Sequence, residues 1–141
     1  MKRAASAVWQ GDLEKGQGTL STQSGVLGKI LYSFATRFEN SIGTNPEELI
    51  AAAHAGCFTM ALSALLGNAG FAPAELSTRA MLTLEQVGGN WTITAIHLDL
   101  SGRVPGIDAA KFDEIADQAK ASCPVSRLFN ADITLTKKLE T

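Results

Sequence analysis

The chain has 141 residues, with 12 Lys or Arg against 14 Asp or Glu, so its net charge is −2. This length suits a single domain over residues 1–141 with a sizeable core. The charge balance gives no basic surface for nucleic acid or for an anionic membrane, so we expect neither partner. The first residues lack the apolar core of a signal peptide, which favours a cytoplasmic protein.

The first part of the chain predicts a β-meander followed by a loop. Short β-type segments separated by Gly occupy residues 4–34, with segments at 5–10, 17–22 and 28–34. Residues 36–44 show no clear period and are predicted as a loop. The predicted fold therefore begins with strands.

A long helix is predicted over about residues 46–67. Asn45 can serve as its N-cap, Pro46 suits the first helical position, and Glu48 falls at the third position of a capping box. Glu47 has no such structural role: it gains from the helix dipole and can pair with a cation such as Arg37, although a solvated first-turn acid is the simpler interpretation.

This helix is unusually apolar. Residues 49–66 carry no formal charge, which reaches the length of a membrane span, but they lack an aromatic belt and basic flanks. We therefore interpret the segment as a central core helix. Because one small sheet and one more helix cannot cover it on every side, the sequence predicts an obligate homodimer in which two such helices pack together.

The second half of the chain predicts a hairpin, a helix and a last strand. The hairpin covers residues 75–104 and turns at Gly88-Gly89. A helix at 108–122 is capped by Asp108, and alternation of apolar and polar residues predicts a C-terminal strand at 132–139. Strands, long helix, hairpin, helix and strand in this order indicate an α+β fold.

Cys57 and Cys123 are the only cysteines of the sequence. Cys57 lies in the middle of the long helix, so a reactive thiolate there would need a nearby cation or donor, for which His54 and Arg37 are candidates. The alternative is a buried Cys that behaves as a small apolar side chain.

Cys123 precedes Pro124, at the junction between the second helix and a short helical turn. That position directs free backbone amides towards the thiol, and Arg127 adds positive charge one turn later. The alternative is that Cys-Pro only marks the end of a helix.

Several kinds of thiol pair stay open on this reasoning. A reducing cytosol disfavours a structural disulfide. Two Cys with His54 and His97 could bind zinc, but the chain has no Cys-x-x-Cys motif and His97 lies in a predicted strand beside Asp99, facing solvent. A redox couple and a coincidence both remain.

The sequence resembles the OsmC/Ohr family, the osmotically inducible protein C and organic hydroperoxide resistance proteins. Residues 43–58 carry the helix start and the first Cys, and Cys123-Pro124-Val125-Ser126 follows. The likeness extends along the chain through segments at 9–12, 18–19, 24–27, 36–39 and 104–108. The Thr-Arg-Phe-Glu segment at 36–39 is similar to the OsmC branch.

The resemblance implies a fold, a reaction and roles for four residues. The fold would be an intertwined homodimer in which antiparallel sheets wrap around two long central helices, with active sites at the subunit interface. The activity would be reduction of organic hydroperoxides to alcohols in oxidative or osmotic stress defence. Cys57 would be the peroxidatic cysteine and Cys123 the resolving one, while Arg37 would stabilise the thiolate and the peroxide and Glu47 would orient Arg37.

The same resemblance implies no metal and no other cofactor, and an external dithiol reductant, for which a lipoyl protein is the candidate. His54 has no role in the family pattern and is predicted to be a packing residue. The alternative function is a non-catalytic redox-sensing or ligand-binding stress protein on the same scaffold.

Overall fold

The computed structural model describes residues 1–128 of the chain. The elements in chain order are β1 (Ala5–Gln10), β2 (Gln17–Thr22), β3 (Ile30–Tyr32), α1 (Phe34–Phe38), α2 (Pro46–Asn68), β4 (Glu75–Val87), β5 (Asn90–Arg103) and α3 (Ala109–Ser122). Helices together with antiparallel strands confirm the predicted α+β class. The strand predicted at 132–139 lies outside the described residues.

The chain divides into two compact units. Of the described residues, the first contains 1–51 and 84–92, and the second contains 52–83 and 93–128. The prediction of one domain over residues 1–141 stays a prediction.

The first unit is built on a three-stranded antiparallel sheet in the order β1-β2-β3. Its register pairs Trp9 with Gly18 and Gly18 with Tyr32. A side chain at Gly18 would meet the Tyr32 ring at 2.4 Å. This position therefore needs glycine, and the Trp9 and Tyr32 rings pack around it with centroids 5.5 Å apart.

The loop prediction for residues 36–44 is wrong at its start, because helix α1 includes residues 36–38. Ser33 caps α1: its hydroxyl accepts from the Thr36 amide, and the Thr36 hydroxyl accepts from the Ser33 amide. A five-residue helix is too short to show a hydrophobic period, and a Thr in place of the usual Glu or Gln disguises the capping box.

Helix α2 begins at the predicted residues but with a different capping arrangement. Asn45 Oδ1 accepts from the Glu48 amide at 2.8 Å, as an N-cap does. The Glu48 carboxylate accepts from the Thr44 hydroxyl at 2.6 Å. Glu48 thus binds a neighbouring side chain, and Glu47 is left for another partner.

The core of the second unit forms where α2 meets α3. The buried side chains of α2 repeat every fourth residue, so that they share one face: His54, Phe58, Leu62 and Leu66. The three apolar side chains of this set form a cluster with Ile115, Ala119 and Cys123. The rest of α2 is far less covered, since 22% of its apolar stretch is buried.

Within the described residues, α2 is the one helix long and apolar enough to cross a membrane by length and composition. Its buried face packs on α3, as expected of a core helix. The β4–β5 hairpin turns at Gly88 and Gly89, whose φ angles of 59° and 82° are those that a tight two-residue turn requires.

Candidate active site

The two cysteines of the second unit meet side by side. Cys57 comes from the middle of α2, and Cys123 is the C-cap residue of α3. Their Sγ atoms lie 2.9 Å apart, both as free thiols, and Cys123 is completely buried. Sulfurs this close can form a disulfide with little backbone movement.

The segment after α3 holds Cys123 in this position. The Cys123 amide still donates to Ala119 O at 3.0 Å, while Pro124 ends the helix. The chain then makes one turn, closed by the Arg127 amide donating to Cys123 O at 3.1 Å. This turn directs the amides of Val125 and Ser126 towards the thiols.

The two thiols differ in acidity. Burial raises the pKa of Cys57, and the hydrogen bond with Cys123 raises it further, against a smaller lowering by the Val125 amide. Burial also raises the pKa of Cys123, but the hydrogen bond with Cys57 and those from the Ser126 amide and hydroxyl and the Val125 amide outweigh it. The pKa of Cys123 is therefore lowered, whereas that of Cys57 is raised.

The hydroxyl that acts on Cys123 also contacts His54. His54 Nε2 and Ser126 Oγ lie 2.8 Å apart, and the His54 side chain is buried. Burial lowers the pKa of His54, so the neutral ring is favoured. No local motif in the sequence reveals this contact, because the two residues are 72 positions apart.

Arg37 and Glu47 form an ion pair in the first unit. Arg37 lies in the last turn of α1 and Glu47 in the first turn of α2. Arg37 Nε donates to both carboxylate oxygens, at 3.0 and 3.2 Å, and Nη2 donates to Oε1. This two-pronged contact fixes the plane of the guanidinium and leaves part of it accessible, since the Arg37 side chain is 35% exposed.

An apolar cavity of about 330 Å³ opens beside Arg37. It is lined mainly by aromatic and aliphatic side chains: Trp9, Leu13, Tyr32, Phe34 and Phe38. The guanidinium carbon lies 5.4 Å from the centre of the Phe38 ring, and Phe38 packs on Trp91 at 5.0 Å. The sequence gives no signal that these rings converge there.

The zinc hypothesis gains nothing from these positions. Over residues 1–128, no three His, Cys, Asp or Glu side chains cluster as metal ligands. His54 is engaged by Ser126, and His97 is exposed on β5.

The four residues singled out from the sequence thus form two pairs. Arg37 contacts Glu47 in the first unit, and Cys57 contacts Cys123 in the second. Their catalytic roles stay predictions. The geometry adds Ser126 and His54, which the family pattern did not supply.

Comparison with known sequences extends over nearly the whole chain. The family model described as OsmC-like protein matches residues 38–138. Peroxiredoxin OsmC of Escherichia coli is 52% identical over 98% of this chain and 96% of its own length. The organic hydroperoxide resistance protein of Xanthomonas axonopodis pv. citri is 36% identical over 67% of this chain and 66% of its own.

Solved structures share the fold at lower identity. OhrB of Bacillus subtilis, an organic hydroperoxide resistance protein, superposes with a TM-score of 0.67 at 23% identity, covering 92% of both chains. An OsmC-like protein of unknown function from Vibrio cholerae reaches a TM-score of 0.71 at 15% identity, covering 91% of this chain and 93% of its own. At these identities the likeness concerns the fold.

Proposed function

This chain belongs to the OsmC-like protein family, and we propose that it is a cysteine-based peroxidase that reduces organic hydroperoxides to alcohols. Relatives named peroxiredoxin and organic hydroperoxide resistance protein support a peroxidase-type stress function. The identity of 52% to peroxiredoxin OsmC against 36% to an organic hydroperoxide resistance protein agrees with the OsmC branch. The observation that carries the proposal is the 2.9 Å contact between Cys57 Sγ and Cys123 Sγ.

The reaction proceeds in two steps on this thiol pair. The Cys57 thiolate attacks one peroxide oxygen, the O–O bond breaks, and the other oxygen leaves as the alcohol after taking a proton, so that Cys57 becomes a sulfenic acid. The Cys123 thiolate then attacks Cys57 Sγ, expels hydroxide and forms a disulfide. Because the sulfurs are already in contact, condensation can outrun further oxidation of Cys57.

Arg37, held by Glu47, supplies the positive charge for the first step. Neither burial nor the Cys123 contact favours a Cys57 thiolate, and both raise the pKa of Cys57, so a cation is required for attack. We assign that role to Arg37, which also stabilises the developing negative charge on the leaving oxygen. Glu47 orients the guanidinium through its two-pronged contact.

The organic part of the peroxide is proposed to bind in the apolar cavity beside Arg37. Burying an alkyl or aryl group there is favourable by about 25 cal/mol per Å² of apolar surface. Hydrogen peroxide has no such group, so this cavity favours bulky organic hydroperoxides over it.

The functional form is proposed to be the intertwined homodimer of the family. Support comes from α2, an apolar helix of 23 residues with most of its surface uncovered. Its exposed side includes Met60, which is 76% exposed, next to small residues such as Ala55 and Gly56. A second copy of the chain would cover this face, and small residues permit close helix approach.

The proposal also covers the reductant, the cofactors and the cellular compartment. The Cys57–Cys123 disulfide must be reduced from outside by a dithiol, for which a lipoyl protein is the candidate, and no metal or other cofactor takes part. The protein would work in the cytoplasm, where dithiol reductants are kept reduced.

The test is multiple turnover of cumene hydroperoxide with dihydrolipoamide as reductant. Wild-type protein should consume the peroxide catalytically, and Cys57→Ser should abolish consumption, a loss of about 1,000-fold or more. Cys123→Ser should give one oxidation event followed by over-oxidation, visible by mass spectrometry as sulfinic acid on Cys57.

The matched control is the double variant Cys57→Ser/Cys123→Ser, which gives the thiol-free background. If the wild-type protein consumed peroxide only at that background rate, the proposed peroxidase activity would be contradicted and the redox-sensing alternative would remain. Sustained turnover by Cys123→Ser would contradict the resolving role.

A further inference from the structure

His54 and Ser126 form a buried pair that the reaction as described does not use. His54 is 6% exposed and lies on the core face of α2, one turn before Cys57 and Phe58. Ser126 lies three residues after Cys123 in the turn that follows α3. The 2.8 Å contact thus joins the helix of one cysteine to the turn of the other.

The hydrogen-bond partners of the two His54 ring nitrogens indicate which atom is the donor in this contact. His54 Nδ1 is buried and has no hydrogen-bond partner among the described residues. A buried N–H without an acceptor is rarer in proteins than an unused acceptor, so the proton of the neutral ring belongs on Nε2. His54 Nε2–H therefore donates to Ser126 Oγ.

That donation orients the serine hydroxyl. With one lone pair of Oγ occupied by His54, the Ser126 proton is free to point at another acceptor, and the Cys123 thiolate is the group that the hydroxyl stabilises. We propose that His54 is a positioning residue for Cys123: it holds the Ser126 hydroxyl so that the O–H donates to Cys123 Sγ.

The consequence for turnover rests on the proposed peroxidase function. An ionised Cys123 is ready to attack the Cys57 sulfenic acid, and it is also the better leaving group when the disulfide is reduced. A thiolate of the reductant attacks Cys57 Sγ, the disulfide bond breaks, and its electron pair goes to Cys123 Sγ. The second thiol of the reductant then attacks the mixed disulfide at the reductant's own sulfur and releases Cys57.

The charged and titratable groups around His54 come from two elements. Lys120 and Asp117 of α3 and His97 of β5 line the cavities next to His54. Lys120 and Asp117 pair at 3.7 Å on the exposed side of α3. A neutral His54 therefore contributes a hydrogen bond to Ser126 and adds no charge. Its effect on the ionisation of Cys123 should differ from that of these charged neighbours.

The test measures the ionisation of Cys123 alone. In a Cys57→Ser background, the ultraviolet absorbance of the thiolate is followed against pH, and the titration of Cys57→Ser/Cys123→Ser is subtracted. Adding Ser126→Ala should move the Cys123 titration to higher pH, with about a tenfold loss of thiolate at a fixed pH below both midpoints. His54→Leu should move it in the same direction, because the hydroxyl is then free to rotate away.

Conservative variants and a matched histidine complete the design. Ser126→Thr keeps the hydroxyl and should leave the titration unchanged, and His54→Gln should restore most of it if the amide replaces the Nε2–H donor. His97→Leu removes the exposed histidine and should have no effect. Circular dichroism identifies any variant that fails to fold, and His54→Phe, which also lacks the Nε2–H donor, then replaces His54→Leu with the same shift expected.

Two outcomes would overturn the inference. A Cys123 titration unmoved by Ser126→Ala removes the hydroxyl from the mechanism. A shift with Ser126→Ala and none with a folded His54 variant that lacks the donor, His54→Leu or His54→Phe, means that the hydroxyl acts without positioning by His54. No peroxide enters this experiment, so its result is independent of whether the protein is a peroxidase.

Discussion

The ion pair Arg37–Glu47 and the thiol pair Cys57–Cys123 stabilise charge in opposite ways. Arg37 is 35% exposed and is fixed by another full charge from the first turn of α2. Cys123 is completely buried, and neutral hydrogen-bond donors of one turn favour its thiolate. In the first pair a full negative charge holds a partly accessible cation, whereas in the second pair neutral donors favour negative charge on a buried sulfur.

The largest effect is expected from removing the charge of the first pair. Arg37→Met keeps most of the side-chain length but removes the cation, so the Cys57 thiolate and the leaving oxygen lose their stabilisation. We expect peroxide consumption to fall about 100- to 1,000-fold, as for loss of a transition-state donor. Steady-state kinetics with cumene hydroperoxide give the value.

Arg3→Met is the matched control, since Arg3 is exposed near the chain start. It should retain wild-type kinetics. If Arg37→Met consumed peroxide as fast as this control, the proposed role of Arg37 would be contradicted, because the thiol pair would then need no cation.

Weakening the orientation of Arg37 should have a smaller effect. Glu47→Gln removes one charge but can still accept a hydrogen bond, so the guanidinium loses its fixed plane and keeps its own charge. Because a partly exposed ion pair contributes up to about 1 kcal/mol, we expect roughly a fivefold fall in kcat/KM.

The control for this prediction is Glu114→Gln, which removes an exposed acid of α3 that pairs with Lys111. It should not change kcat/KM. A loss with Glu47→Gln as large as that with Arg37→Met would show that Glu47 does more than orient the arginine.

The smallest effect concerns stability and belongs to the buried side of the comparison. Burial lowers the pKa of His54 below the ordinary value of 6.5, so at lower pH the unfolded chain binds a proton that the folded chain does not. This contribution to stability is fully present above pH 6.5 and is lost as the pH falls towards the folded-state pKa. The expected slope for one such group is at most about 1.4 kcal/mol per pH unit.

Urea unfolding of the reduced protein at about pH 7.5 and about pH 5.5 measures this loss. His54→Gln should flatten the pH dependence, and His97→Gln should leave it unchanged. An unaltered slope in His54→Gln would assign the pH dependence to other groups.

The features that could be predicted from the sequence are those that depend on residues close together in the chain. The start of α2 at Asn45-Pro46 and the hairpin turn at Gly88-Gly89 are local signals, because a cap and a tight turn need specific residues at fixed offsets. Helix α1 was missed, because five residues show no period and its capping box uses Thr36. The rest of the predicted 36–44 loop contains no helix or strand.

Contacts over long sequence separations needed either the fold or a resemblance. Nothing in the physics of the sequence joins Cys57 to a residue 66 positions away, and the family likeness alone paired it with Cys123. Neither a local sequence signal nor the family resemblance indicates the contact of His54 with Ser126, since the family pattern gives His54 no role. Buried polar contacts of this kind depend on how two helices pack, which local patterns do not encode.

The separation of the two cysteines along the chain has a mechanical consequence. A bond between them would close a loop of 66 residues that contains the whole β4–β5 hairpin and α3. Closing such a loop restricts the unfolded chain and is worth about 4 kcal/mol of stability in the chain-entropy description. In the proposed cycle this constraint would be added when the disulfide forms and removed when it is reduced. The disulfide form would therefore be more resistant to unfolding than the reduced form.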